Sequence, residues 1–68
     1  MLLIVYNKDD TQQWVHDCSS WDVSGFMCAY LDYSPLFDTR FSIHRIKNEC
    51  IDFSNVAKFE FIIKDEYI

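Results

Sequence analysis

The sequence opens with an apolar run, MLLIVY at residues 1–6, which is the clearest fold signal in the chain. Its apolar and β-branched side chains occupy both faces of an extended segment. A strand that is apolar on both faces is typical of the interior of a sheet. We therefore predict a central strand at residues 1–6, followed by a polar turn at residues 7–10.

A short helix is predicted next, at about residues 11–20. Asp10 stands three residues before Gln13, which is the spacing of a capping box at a helix N-terminus. Apolar side chains then follow at positions i, i+1, i+4 and i+7, the spacing of one helix face, at Trp14, Val15, Cys18 and Trp21.

Strands are predicted over the rest of the chain. Residues 25–33 alternate with apolar side chains on both faces, and Ser34-Pro35 breaks that strand. Further alternation predicts strands at 40–47, around Ile51, and through 59–63. The short connections favour antiparallel pairing. The predicted fold class is α+β: a small, mostly antiparallel sheet of four to five strands, with one short helix packed on one face, in a single compact domain over residues 1–68.

Composition excludes several classes of protein. The chain has 68 residues, 11 acidic against 6 basic residues, a net charge of −5, and half of its residues are apolar. It is too short for two domains and too apolar for a disordered acidic tail. Its acidity excludes a general nucleic-acid binder, which needs a basic surface. Six Phe, four Tyr and two Trp supply the aromatic area for a core or for a partner.

The cysteines and the N-terminal run predict a cytoplasmic location. An odd number of cysteines does not suit a secreted disulfide framework, so Cys18, Cys28 and Cys50 are expected to be free thiols. Residues 1–6 lack a basic segment, are too short for a signal peptide, and fall well below the roughly 20 residues of a membrane span. The expected compartment is the cytoplasm.

The net charge lies in the first half of the chain. Residues 1–38 contain six Asp and one base, Lys8, whereas residues 39–68 contain five acids and five bases. One interpretation is a solvated acidic face that keeps the protein soluble. The other is a surface complementary to a basic groove, with carboxylates in place of phosphates and aromatic rings in place of bases. The sequence leaves both interpretations open.

Sequence motifs for catalysis or metal binding are weak. A zinc site normally shows closely spaced Cys or His pairs, and the only close pair here is His16-x-Cys18, among the candidates His16, Cys18, Cys28, His44 and Cys50. Cys18 with His44 is conceivable as a thiolate and base, but nothing marks an oxyanion hole. A single glycine, Gly25, excludes phosphate-binding loops. We predict no enzyme activity, no catalytic residue, no metal and no cofactor.

A partner-binding surface is the stronger expectation. Residues 30–38 combine aromatic side chains with acids, and Trp21-Asp22 repeats that combination. Aromatic residues are enriched at interface hot spots. The alternative is that Leu36 and Phe37 simply fill the core beneath a loop. The predicted partner-binding residues are Trp21, Asp22, Asp32, Tyr33, Phe37 and Asp38.

In size, acidity and aromatic content, the chain resembles the small proteins that bacteriophages make to inhibit host enzymes, including anti-restriction and anti-CRISPR proteins. Several of those mimic nucleic acids. The resemblance lies in composition and implies no role for any single residue. It favours an inhibitor that occludes a basic surface of a larger nucleic-acid-binding protein, without binding nucleic acid or membrane itself. The alternative is an assembly module that oligomerises, for instance as a homodimer, through an apolar sheet face or an edge strand.

Overall fold

The structure is a computed structural model that describes residues 1–33 and 42–63. These residues form an α+β fold with one α-helix, a sheet of three antiparallel strands and a separate two-stranded sheet. In chain order the elements are β1 (Leu2–Asn7), β2 (Gln12–Asp17), α1 (Ser20–Asp32), β3 (Ile43–Ile46), β4 (Glu49–Asp52), a 3-10 helix (Phe53–Asn55) and β5 (Val56–Ile62).

Strand β1 is the centre of the three-stranded sheet, whose strand order is β2-β1-β5, and the prediction of a central strand is confirmed. Leu3 and Val5 are fully buried in the core. Ile4 lies on the opposite face, because successive strand residues alternate, and it is buried there as well.

The helix predicted at about residues 11–20 is wrong, because residues 12–17 form strand β2. Trp14 lies opposite Val5 of β1 in an antiparallel pair. The tight turn at residues 7–10 returns the chain directly alongside β1. The backbone hydrogen bonds of this hairpin outweigh a helix-like spacing of apolar residues.

The strand predicted at residues 25–33 is also wrong, because residues 20–32 form α1. Phe26 is fully buried in the core, and residues at helical spacing from it pack beside it: Val23, Met27, Ala29, Tyr30 and, just past the helix end, Tyr33. When almost every residue of a segment is apolar, its pattern fits both the two-residue period of a strand and the period of a helix. Alternation alone therefore did not distinguish a strand from a helix here.

Strands β3 and β4 form a hairpin that is a sheet of its own, so the prediction of one sheet of four to five strands is wrong. Gln13 of β2 joins the two sheets through its side chain, which accepts from the Asp52 N–H at 2.6 Å and donates to the Asp52 carbonyl at 3.3 Å. Because a side chain occupies the backbone groups of Asp52, β2 and β4 do not pair as strands at this point.

The core joins α1 to both sheets through aromatic rings. Phe26 lies at its centre, with ring centroids at 5.2–6.2 Å from those of Phe59 in β5, Phe53 in the 3-10 helix, His44 in β3 and Tyr30 in α1. Truncation of a core Phe to Ala costs about 3–5 kcal/mol of unfolding free energy, so this cluster holds the helix at a fixed position. Within residues 1–33 and 42–63, no helix is long and apolar enough to cross a membrane.

Candidate protein-binding surface

A capping box fixes where α1 begins. The Ser19 hydroxyl accepts from the Asp22 N–H at 3.2 Å, and the Asp22 carboxylate accepts from the Ser19 N–H at 3.3 Å. Two N–H groups that the first helical turn leaves unpaired are thereby satisfied. The carboxylate of Asp22, a predicted binding residue, is therefore held at the helix N-terminus.

One face of α1 packs on the core and the other faces outward. We call the outward side the α1 outer face, and it consists of Trp21, Ser24, Gly25, Cys28, Leu31 and Asp32, all exposed. Trp21 is 84% exposed and Leu31 is 76% exposed. At 1.5 Å per residue they lie about 15 Å apart along the axis. The residues between them on this face, Ser24, Gly25 and Cys28, are small, and a Cβ at Gly25 would meet nothing within 4 Å.

The predicted binding residues are divided between the two ends of α1. Trp21 and Asp22 lie in its first turn, whereas Asp32 ends the helix and Tyr33 follows it. Tyr33 is half-buried with its ring 5.8 Å from that of Phe53, so part of its surface belongs to the core. Phe37 and Asp38 lie outside the described residues.

A groove of about 220 Å³ lies beside Trp21, between the first half of α1 and β3. Its lining includes the basic residues Arg45 and Lys47. The Lys47 ammonium lies 4.0 Å from the Asp22 carboxylate. The charge of Asp22 is thus opposed by neighbouring bases, and this end of the outer face is mainly an aromatic surface.

The acids described within residues 1–33 do not share one surface. A second cavity, of about 320 Å³, is lined by Lys8 of the β1–β2 turn together with Tyr30 and Tyr33. The C-terminal end of α1 therefore lies beside that turn. Three acids belong to this end of the molecule: Asp9, Asp10 and Asp32. Two others, Asp17 and Asp22, lie at the end where β2 leads into α1.

Amino and imidazole nitrogens lie close to the acids at the β2–α1 end. Besides Asp22, the Asp17 carboxylate lies 3.9 Å from the N-terminal amino group, and the Glu49 carboxylate lies 2.8 Å from Nε2 of His16. At the opposite end, the hydroxyl and the N–H of Thr11 donate to the Asp9 carboxylate, and the hydroxyl bond is the main cause of its lowered pKa. Asp9 therefore stays ionised as part of a turn.

The candidates for chemistry are separated in the structure. Among the described residues, no group of three or more His, Cys, Asp and Glu side chains is placed to hold a metal ion. Cys18 is buried and its thiol lies 3.6 Å from the His16 carbonyl. Burial raises the pKa of this thiol, which opposes thiolate formation. His44 instead stacks on Phe53, with ring centroids 5.5 Å apart.

Sequence reasoning missed Cys28 and Leu31 as outer-face residues, because it assigned them to a strand. The signal was present: Ser19 precedes Asp22 by three residues, a second capping-box spacing. A helix that begins there places Trp21 and Cys28 two turns apart on one face.

No family model matches the chain, and neither a curated protein nor a solved structure matches it.

Proposed function

We propose that this chain is a small binding protein, without catalytic activity of its own, that inhibits a larger protein by docking the α1 outer face onto a basic, nucleic-acid-binding surface. The observation that carries the proposal is Trp21, which is 84% exposed on a helix that is capped and packed on the core. Trp is the residue most typical of interface hot spots. A rigid helix presents it at little cost in conformational entropy.

The charge of α1 supports a basic partner. Between Ser20 and Asp32 the helix contains two acids and neither Lys nor Arg. Lys47 already lies beside Asp22, so Asp32 is the acid of α1 on which the proposal rests. Asp32 is exposed in the last turn, where the helix dipole is already negative and where α1 has no basic residue. A carboxylate at that position disfavours the helix, and in this proposal it contacts a cation of the partner.

The surface around Trp21 and Leu31 supplies apolar anchors, and Asp32 supplies charge at one end. Complementary charge speeds association, whereas buried aromatic anchors slow release. Nucleic-acid-binding surfaces are rich in Lys and Arg, so a protein docked on one of them excludes nucleic acid from it. Because the acids lie at two ends, occlusion by the helix face is better supported than an extended copy of a phosphate backbone.

The test is affinity capture from bacterial lysate with the tagged wild-type chain, with Trp21→Ser and with Ile63→Ser. Ile63 is the matched control, since it is an apolar side chain 74% exposed just beyond β5 and not part of the α1 outer face. We expect wild type and Ile63→Ser to retain a nucleic-acid-binding protein that added nucleic acid displaces, and Trp21→Ser to lose it. Loss of a hot-spot side chain costs about 2 kcal/mol or more, roughly a 30-fold rise in Kd.

Two results would contradict the proposal. One is equal retention of the captured protein by Trp21→Ser and by wild type. The other is a captured protein that added nucleic acid does not displace.

A further inference from the structure

Among the described residues, strand β5 forms an open edge of the three-stranded sheet. It is seven residues long, Val56–Ile62, and β1 pairs with one side of it. Within the described part of the chain no strand pairs with its other side. An open edge of this length presents a row of backbone donors and acceptors on which another strand can pair.

The register of the sheet identifies the backbone groups that point outward. The Cys18 N–H donates to the Met1 carbonyl at 2.7 Å, so alternate residues from Met1 onward bond to β2. The backbone groups of the residues in between therefore bond to β5, in three pairs: Leu2 with Ile62, Ile4 with Glu60 and Tyr6 with Lys58. The outward N–H and C=O groups of β5 therefore belong to the residues between those partners, Ala57, Phe59 and Phe61.

We propose that a second copy of this chain pairs with the β5 edge in antiparallel register, with Phe59 opposite its own counterpart at a two-fold axis. This register uses all three outward residues, because Ala57 then lies opposite Phe61 of the second copy. It also places Lys58 opposite Glu60 of the second copy, twice by symmetry. These positions are non-hydrogen-bonded pairs, in which side chains approach most closely.

Charge distinguishes this register from its neighbours. A shift of two residues in one direction places Lys58 opposite Lys58, and in the other direction it places Glu60 opposite Glu60. Like charges directly opposite each other are destabilising. Lys58 and Glu60 lie on either side of Phe59, so each faces an opposite charge only when β5 pairs about its own midpoint. This arrangement suits pairing of β5 with a second copy of itself.

Both charged side chains, those of Lys58 and Glu60, are exposed, and within residues 1–33 and 42–63 they retain capacity for a further partner. The Tyr6 hydroxyl donates to one Glu60 oxygen at 2.7 Å, and the Lys58 ammonium lies 4.8 Å from the centroid of the same ring. Glu60 keeps a second carboxylate oxygen, and the ammonium keeps its three donors. Tyr6 thus holds both charges on one face of β5, the face on which the proposed pairs form.

The dimer also covers apolar surface at the end of β5. Phe61 is 37% exposed and Ile62 is 45% exposed. In the proposed register these residues lie opposite Ala57 and Val56 of the second copy. The product is a continuous six-stranded antiparallel sheet, in which each copy keeps its α1 outer face uncovered, so this inference is independent of the proposed function.

The test is sedimentation of the full chain at micromolar concentrations, with Lys58→Glu, with Glu60→Lys and with the double exchange Lys58→Glu/Glu60→Lys. We expect a dimer for wild type and for the double exchange, and at least a tenfold weaker dimer for each single variant. An equimolar mixture of the two single variants should restore dimerisation, because each supplies the charge that the other lacks. Circular dichroism confirms that each variant is folded.

A wild-type chain that stays monomeric throughout this range would overturn the proposal. So would a dimer that neither single variant weakens, since that dimer would use another surface. Trp21→Ser should leave the dimer intact, which separates failure of this inference from failure of the proposed function.

Discussion

His44 is an ionisable side chain held among aromatic rings. Its ring stacks on Phe53 at an interplanar angle of 13° and meets the edge of Phe26 at 6.2 Å between centroids. Burial lowers the pKa of His44 below its ordinary value of 6.5, because the charged imidazolium is poorly solvated there. The folded chain therefore binds this proton less readily than the unfolded chain.

This difference predicts a loss of stability in mild acid. The contribution of His44 is fully present above the unfolded pKa of about 6.5, and it declines as the pH falls from there towards the lower folded pKa. His44→Phe keeps the ring packing and removes the titration. We expect wild type to lose more unfolding free energy than His44→Phe between pH 7.5 and pH 5.5, measured by urea denaturation. Equal losses in the two proteins would show that His44 is not the group responsible.

At the scale of elements, the β3–β4 hairpin depends on a strained two-residue turn. Lys47 and Asn48 both have positive φ, 51° and 65°. Such a turn favours glycine at its second position, because a side chain crowds the left-handed backbone. Asn tolerates this conformation better than most residues, but glycine removes the strain altogether.

Asn48→Gly is therefore expected to raise the unfolding free energy by roughly 0.5–1 kcal/mol, because relief of the backbone strain outweighs the added entropy of the unfolded chain. Ser24→Gly is the matched control, since Ser24 is exposed within α1 and glycine lowers helix stability. Thermal and urea denaturation should move in opposite directions for the two variants. Destabilisation by both would mean that the turn is not strained.

Asp32 gives the second prediction at this scale. It lies in the last turn of α1 without a basic neighbour in that turn. Asp32→Lys should stabilise the fold by roughly 0.3–1 kcal/mol, because a cation suits the helix C-terminus. Asp22→Asn, at the other end, should destabilise it by weakening the capping box. Urea denaturation measures the stability of both variants. If Asp32→Lys is more stable but binds the partner more weakly, Asp32 is a binding residue. If its binding is unchanged, Asp32 is not part of the binding surface.

The elements show how far the sequence alone could lead. Some features could be predicted because their apolar pattern fits only one kind of secondary structure. These are the α+β class, the central position of β1 and a strand that ends near residue 62. Residues 12–17 and 20–32 could not be predicted in this way, because their apolar side chains fit two periods at once. Pairing with β1 determined that residues 12–17 form a strand. The capping box at Ser19 determined that residues 20–32 form a helix. The outer face depended on that assignment, so only Trp21 and Asp32 of it were identified.

At the scale of the whole molecule, the two proposed surfaces are compatible. In the proposed antiparallel pairing, residues directly opposite each other point to the same face of the sheet. Both copies of α1 therefore lie on the same side of the dimer. Each outer face then points away from the sheet with its Trp21 exposed. Two such faces on one particle would engage neighbouring basic surfaces with a raised effective concentration. The split of the acids between two ends of each chain suits separate contacts of this kind better than one continuous acidic surface.

Docking through the α1 outer face is measured most directly by the alkylation rate of the three thiols, followed by mass spectrometry, with and without the captured partner. Cys28 lies on the α1 outer face, Cys50 is exposed on β4, and Cys18 is buried with a raised pKa. In the free chain Cys28 and Cys50 should react and Cys18 should not. In the complex, Cys28 should slow by about tenfold or more, since the centre of an interface excludes reagent and water, and Cys50 should be unchanged. An unchanged rate at Cys28 with the partner bound would contradict docking through α1.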